Sequence, residues 1–170
     1  QWILAGSEVY AVGGVTDNLT PEGRRFLKEL REMAKLEVRV GYQHGKKSHT
    51  PSGPEGKSVD MCDIAAWNEL GTDTIPSRPF LRDSVDKHKS ELSAFKQKQF
   101  KRISNGETAE AVLRAVGAYQ VGVVQKEITD GSFAPNAEST IRKKGSDHPL
   151  IDTGQMRASV HYWIAKKGSQ

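Results

Sequence analysis

The feature that most constrains this chain is a change of hydrophobic period at Leu36. Before it, Phe26, Leu27, Leu30, Met33 and Ala34 recur at the spacing of one helix face. From it onward, Leu36, Val38, Val40 and Tyr42 alternate with Glu37, Arg39 and Gly41. Side chains return to one face every ~3.6 residues on a helix and every ~2 on a strand, so the chain must combine both element types. The helix has a legible start at Thr20-Pro21-Glu22-Gly23, with Thr20 as N-cap and Pro21 in the first helical position.

Residues 43–58, QHGKKSHTPSGPEGKS, hold almost no apolar side chains and predict a long, flexible loop. A helix follows over about 60–70, capped by Asp60, with Met61, Ile64, Ala65 and Leu70 on one side and Gly71 as its stop. Pro76 and Pro79 make 72–79 an irregular connector. One long helix is expected over about 80–104, with Val85, Leu92, Phe95, Gln99 and Ile103 facing inward, ended by Asn105-Gly106. Another runs over about 107–128 on Val112, Val116, Tyr119 and Val123, a stripe widened by Leu113, Val124 and Ile128. Residues 130–148 are polar and predict a second flexible loop, and Val160, Tyr162 and Ile164 alternate with His161 and Trp163 as a terminal strand.

These elements imply an α+β fold in one domain over 1–170: a small antiparallel sheet packed against two or three long helices, with long polar loops. A two-stranded sheet is marginal alone. Further strands are therefore expected from residues 1–16 of the N-terminal arm (1–18), from around 57–60, or from a neighbouring subunit.

No apolar run approaches the roughly 20 residues of a membrane span. The opening QWILAGSEVYAVGG has no basic region and too short an apolar stretch for a signal peptide. A single cysteine, Cys62, excludes an internal disulfide, so folding in the cytoplasm of a cell is expected. Net charge is +4, unevenly spread: ten basic residues meet eleven acidic ones over 1–80, and fifteen meet ten over 81–170. Much of the excess lies in 82–104, in Arg82, Lys87, Lys89, Lys96, Lys98, Lys101 and Arg102. A basic helix can meet nucleic acid or an acidic protein surface; without aromatic interleaving, a solvated face is the plainer account.

A search for reaction chemistry finds no constellation. Of the five histidines only His44 and His49 are close, in a loop that offers no cysteine, aspartate or second ligand pair at metal spacing. Asp60 and Asp63 surround Cys62 and make it a poor nucleophile, better explained as a small core residue. The Gly-rich stretches lack phosphate-loop spacing, and no serine sits in a nucleophile elbow. Asp60/Asp63 and Asp83/Asp86 are explained by helix starts. No enzyme, cofactor or metal is therefore expected.

Two segments are unusual for a plain globular domain. In the first, Ile64-Ala-Ala-Trp67-Asn-Glu-Leu-Gly71-Thr-Asp-Thr-Ile-Pro-Ser-Arg78-Pro79-Phe80-Leu-Arg82, a helix bearing Trp67 stops at Gly71 and a Pro-bounded connector aims Arg78 and Phe80. As ordinary structure it is an internal brace anchored by Phe80. In the second, Pro149-Leu-Ile-Asp152-Thr153-Gly154-Gln-Met-Arg157-Ala-Ser159, an extended run reaches a turn and a short helix or strand. As ordinary structure, Asp152 caps the amides that follow. The Asp-Thr-Gly triplet of aspartic proteases needs two facing copies, and the chain has one.

Together, "A-x-x-N-E-x-G-T … I-P-x-R-P-F-L-R" and the stretch from Lys144-Gly145 through "P-L-I-D-T-G-x-M-R-x-S-V" to Val160 resemble the virion-morphogenesis proteins of tailed bacteriophages. This is the family of tail-completion, neck and minor tail components. The resemblance covers about 61–104 and 136–164. It implies a non-catalytic structural protein of the head–tail junction, forming a homo-oligomeric ring, a hexamer by tail symmetry, that completes the tail and helps join it to the head. Its implied partners are further copies of itself, the head-connector proteins and the tail-terminator or tail-tube proteins, with incidental contact to genome DNA and none to membrane. The implied setting is the virion neck, after assembly in the host cytoplasm. The motif residues expected at interfaces are Trp67, Gly71, Arg78, Pro79, Phe80, Arg82, Asp152, Thr153, Gly154 and Arg157, with Arg78 and Arg157 free to pair with carboxylates of a neighbour. The reading from another class is a nucleic-acid-binding protein using the 82–104 helix.

Overall fold

The computed structural model describes residues 19–48 and 58–169. Helix α1 (Pro21–Lys35) starts as its sequence dictates: the Thr20 hydroxyl accepts from the Gly23 amide at 3.2 Å, with Pro21 in the first turn. It passes without a turn into strand β1 (Leu36–Gly41). Helices α2 (Met61–Leu70), α3 (Phe80–Lys87), α4 (Lys89–Ser104), α5 (Ala109–Asp130), α6 (Glu138–Lys144) and α7 (Gln155–Ala158) follow, and strand β2 (His161–Lys166) closes the fold. The architecture is α+β.

The sheet has two antiparallel strands, with Val38 opposite Ile164 and Val40 opposite Tyr162. It lies against α5, where the Tyr162 ring fills the space left by the missing side chain of Gly117. Arg39 and Trp163 are partners in the alternate register, and Trp163 is 36% exposed. Of the further strands expected, one from 1–16 lies outside the described residues. That from 57–60 is reduced to a single bridge, Lys47 to Asp60, where residues 46–48 and 59–61 run antiparallel. Most of the expected loop at 43–58, namely 49–57, also lies outside the described residues.

Helix α5 is the central post. Val112, Leu113 and Val116 lie buried on it with Leu92 and Ile103 of α4, while Val124 and Ile128 join Met61, Ala65, Phe80, Leu150, Met156 and Val160 in the main core cluster. Phe95 of α4 stacks on Tyr119 of α5 at 3.9 Å between ring centres.

Several expectations need correction. Helix α1 buries no residue and leaves Leu30 39% exposed, because it caps the α4–α5 pair from outside rather than entering the core. The expected single helix over 80–104 is broken at His88 (φ −106°, ψ 16°), where the ring Nδ1 lies 3.1 Å from the Glu91 carboxylate three residues on. The break lets both halves follow α5, and it turns Val85 out to 41% exposure while Ser84 takes the fully buried place. Leu70, expected beside Met61 and Ala65, is 69% exposed. The loop expected over 130–148 contains α6, which ends at Gly145 in the left-handed region.

Candidate functional site

The first motif folds as a self-bracing unit. Gly71 ends α2 at φ +80°, and a Cβ there would stand 2.9 Å from the Ser77 amide nitrogen, so the position requires glycine twice over. The chain then doubles back. The Thr72 amide donates to the Ile75 carbonyl at 2.8 Å, and the Arg78 amide donates to the Asn68 carbonyl at 2.6 Å. Because Pro79 can give α3 no side-chain cap, Glu69 reaches across. Its carboxylate accepts from the amides of Leu81 at 2.8 Å and Arg82 at 3.1 Å. Asn68 and Glu69 are thus the clamp that holds the connector, and Phe80 behind it is fully buried.

Arg78 departs from its expected role. It is only 5% exposed, and four of its five guanidinium N–H donors are engaged within the chain. Nε donates to the Ala134 carbonyl at 2.8 Å, Nη1 to Asn68 Oδ1 at 3.2 Å, and Nη2 to the Pro135 carbonyl at 3.1 Å and Asn136 Oδ1 at 3.2 Å. A guanidinium with four carbonyl acceptors has no fork left for a neighbour's carboxylate. Asn136 in turn donates to the His148 carbonyl at 3.1 Å, and Lys144 donates to the same carbonyl at 2.8 Å. This chain of bonds ties the first motif to the second.

In the second motif Leu150 and Met156 are buried in the core while Asp152 and Thr153 face out. Gly154 (φ +76°) precedes α7, and it is the Thr153 hydroxyl, not the expected Asp152 carboxylate, that accepts from the Gln155 amide at 3.3 Å. Arg157 is exposed and donates from Nη1 to the Thr129 hydroxyl at 3.3 Å.

The two motifs meet around a groove of about 320 Å³. Its floor is apolar, from Met61, Ile64, Ile75 and Leu150, and its rim carries Lys144 and Asp152. Burial lowers the Lys144 pKa from its ordinary value, against the opposing pull of the Asp152 carboxylate. Of the motif residues, Arg78, Asp152, Thr153 and Gly154 line this groove; Trp67, Gly71, Pro79, Phe80, Arg82 and Arg157 do not. Trp67 is 38% exposed, on the outside of α2. An apolar floor with one cation and one anion on the rim suits an extended peptide segment rather than a highly charged ligand.

The basic 82–104 region does not form a single stripe. Lys87 is drawn in by Glu127 at 2.6 Å and Asp83 at 3.0 Å, and Arg102 pairs with Glu107 and Gln99. Lys89, Lys96, Lys98 and Lys101 have no ion pair among the described residues, but on a helix turning about 100° per residue Lys89 and Lys96 lie on the side opposite Lys98.

One cluster could not be foreseen from spacing. The bridge between Lys47 and Asp60 brings His44 to the N-terminus of α2, where ligand atoms of His44, Asp60 and Cys62 all lie within 4.8 Å of one another. Asp60 is the N-cap of α2, accepting from the amides of Cys62 at 2.9 Å and Gly45 at 2.6 Å, and these bonds hold its carboxyl below the usual range. Burial, with Asp60 beside it, raises the Cys62 thiol, which is half-buried rather than a core residue. His44 is sixteen residues from Asp60, so only knowledge that the loop closes would have joined them.

Comparison with protein-family models, with curated proteins and with solved structures finds no match for this chain.

Proposed function

We propose that this chain is a structural subunit of a tailed-phage virion, placed at the head–tail junction, and that it works as a homo-oligomeric ring. The observation that carries the reading is the sheet: two strands, each with its outer edge unpaired among the described residues. Such a sheet is marginal in water and its edges invite another strand. Exposed Trp67, Leu70, Phe100 and Trp163 add apolar surface for neighbours to cover, and the groove joining the two motifs supplies a second, different patch. Two unlike patches on one copy are what a head-to-tail ring needs. With Arg78 committed inside the chain, Trp67, Arg82, Arg157 and the Asp152–Thr153 turn are motif groups left at the surface for that contact.

The test is location and copy number in intact particles, with the oligomeric state of the purified chain measured by light scattering across a concentration series. The expected result is a fixed number of copies, six by the symmetry argument, on the head–tail axis. Copies found singly away from that axis, or particles lacking the chain, would overturn the reading.

A further inference from the structure

We propose that His44, Asp60 and Cys62 form a binding site for a zinc-class divalent transition metal, which fastens the chain segment at 44–47 onto the start of α2. The three side chains come from two separate segments and offer one nitrogen, one oxygen and one sulfur donor, a set suited to zinc and poorly suited to calcium or magnesium. On one tetrahedral zinc, with bonds of about 2.0–2.3 Å, neighbouring donors stand roughly 3.3–3.7 Å apart. His44 Nδ1 and Asp60 Oδ2 are 3.8 Å apart, and the whole triad lies within 4.8 Å. Small side-chain rotations therefore suffice, with no backbone movement.

Two of the donors are already held. The amides of Gly45 and Cys62 fix the Asp60 carboxylate, and each of its oxygens keeps a lone pair free for a metal. Cys62 is held in the first turn of α2, two residues from Asp60. The third donor is the adjustable one, since the His44 side chain is 83% exposed. Binding releases the thiol proton to solvent as the sulfur–metal bond forms, with no change of oxidation state. Its structural effect is to fasten residues 44–47 to the start of α2 a second time, beside the Lys47–Asp60 bridge and its flanking backbone bonds.

The experiment uses the full chain, stripped with a chelator and titrated with Co2+ and then Zn2+. The expected result is one Co2+ per chain, an intense near-ultraviolet band from sulfur-to-cobalt charge transfer, and displacement of cobalt by Zn2+. Cys62→Ser abolishes the band, while His44→Gln and Asp60→Asn each weaken Zn2+ binding ~10-fold or more. Asparagine is chosen at 60 because it retains the helix cap, so a loss there reports the missing charge and not an unfolded α2. Circular dichroism of each variant confirms that the fold persists. No stoichiometric uptake by the parent chain, or uptake with the same affinity in all three variants, would overturn the proposal.

Discussion

Tyr42 shows how far a single buried atom sets a measurable property. Its ring meets Phe80 edge-on at 6.2 Å, but its hydroxyl is buried with no hydrogen-bond partner among the described residues. Burial, with the Glu69 charge second, pushes its pKa well above the ordinary tyrosine value. The unfolded chain therefore sheds this proton near pH ~10 while the native chain keeps it, so stability present below that pH is lost as pH rises through the window above it. Tyr42→Phe is expected to remove this alkaline loss and, by deleting an unpaired hydroxyl, to leave stability at neutral pH equal or higher by about 1 kcal/mol. Urea unfolding of both forms across pH 7–11 measures it, and a steeper alkaline loss in the variant would refute the assignment. Phe80 is the opposite case, a fully buried ring in the main cluster. Phe80→Ala should lower unfolding free energy by about 3–5 kcal/mol, the range for large core aromatics. A variant melting like the parent would show that the ring carries no packing.

At the scale of elements, α5 offers a controlled comparison between two of its own glycines. A Cβ at Gly117 would stand 2.4 Å from Tyr162 Cδ2 and 3.1 Å from Tyr162 Cβ, whereas one at Gly122 meets nothing within 4 Å. Alanine in a helix interior is favoured over glycine by up to ~1 kcal/mol. At Gly122 that gain stands alone, so Gly122→Ala should stabilise by about 0.5–1 kcal/mol. At Gly117 it is outweighed by overpacking of about 1–3 kcal/mol, because the tyrosine is held in the strand that lies on the helix. Gly117→Ala should therefore destabilise, and thermal melts of the two variants should move in opposite directions. Equal shifts would mean that the sheet does not rest on α5 as described. The His88 break is also an element-scale matter. Lys87 is held by Glu127 of α5 on one side of it, and the His88–Glu91 contact opens α4 on the other, which together cost the helix its continuity but seat both halves.

For the whole molecule, the competing roles differ in their response to salt. A protein that reads a nucleic-acid backbone through Z cations loses affinity with a log–log slope of about −0.9Z. Four lysines without an ion pair among the described residues are spread around α4, and with Lys87 and Arg102 already engaged they cannot all face one duplex. Duplex binding is therefore expected to be weak, with a slope shallower than about −3 and no retention at physiological salt. A filter-binding salt series measures this, and a steep slope with firm retention would favour the nucleic-acid role over the ring.

The sequence by itself determined what depends on neighbours along the chain. The Thr20 cap, the passage from α1 to β1 at Leu36, the Asp60-to-Gly71 limits of α2, the buried stripe of α5 and the closing strand all follow from local caps and periodicity, which act within a few residues. It also marked the two motifs, yet not what they do inside the molecule. Only the tertiary structure decided that Arg78 spends its donors on carbonyls at 134 and 135 and on two asparagines, for those acceptors lie up to 58 residues away. The same holds for the interruption at His88, since a second post to pack against is what rewards a bend. It holds as well for the meeting of His44 with Asp60 and Cys62. No periodicity records which distant segments will touch, because that depends on how all the apolar faces are buried at once.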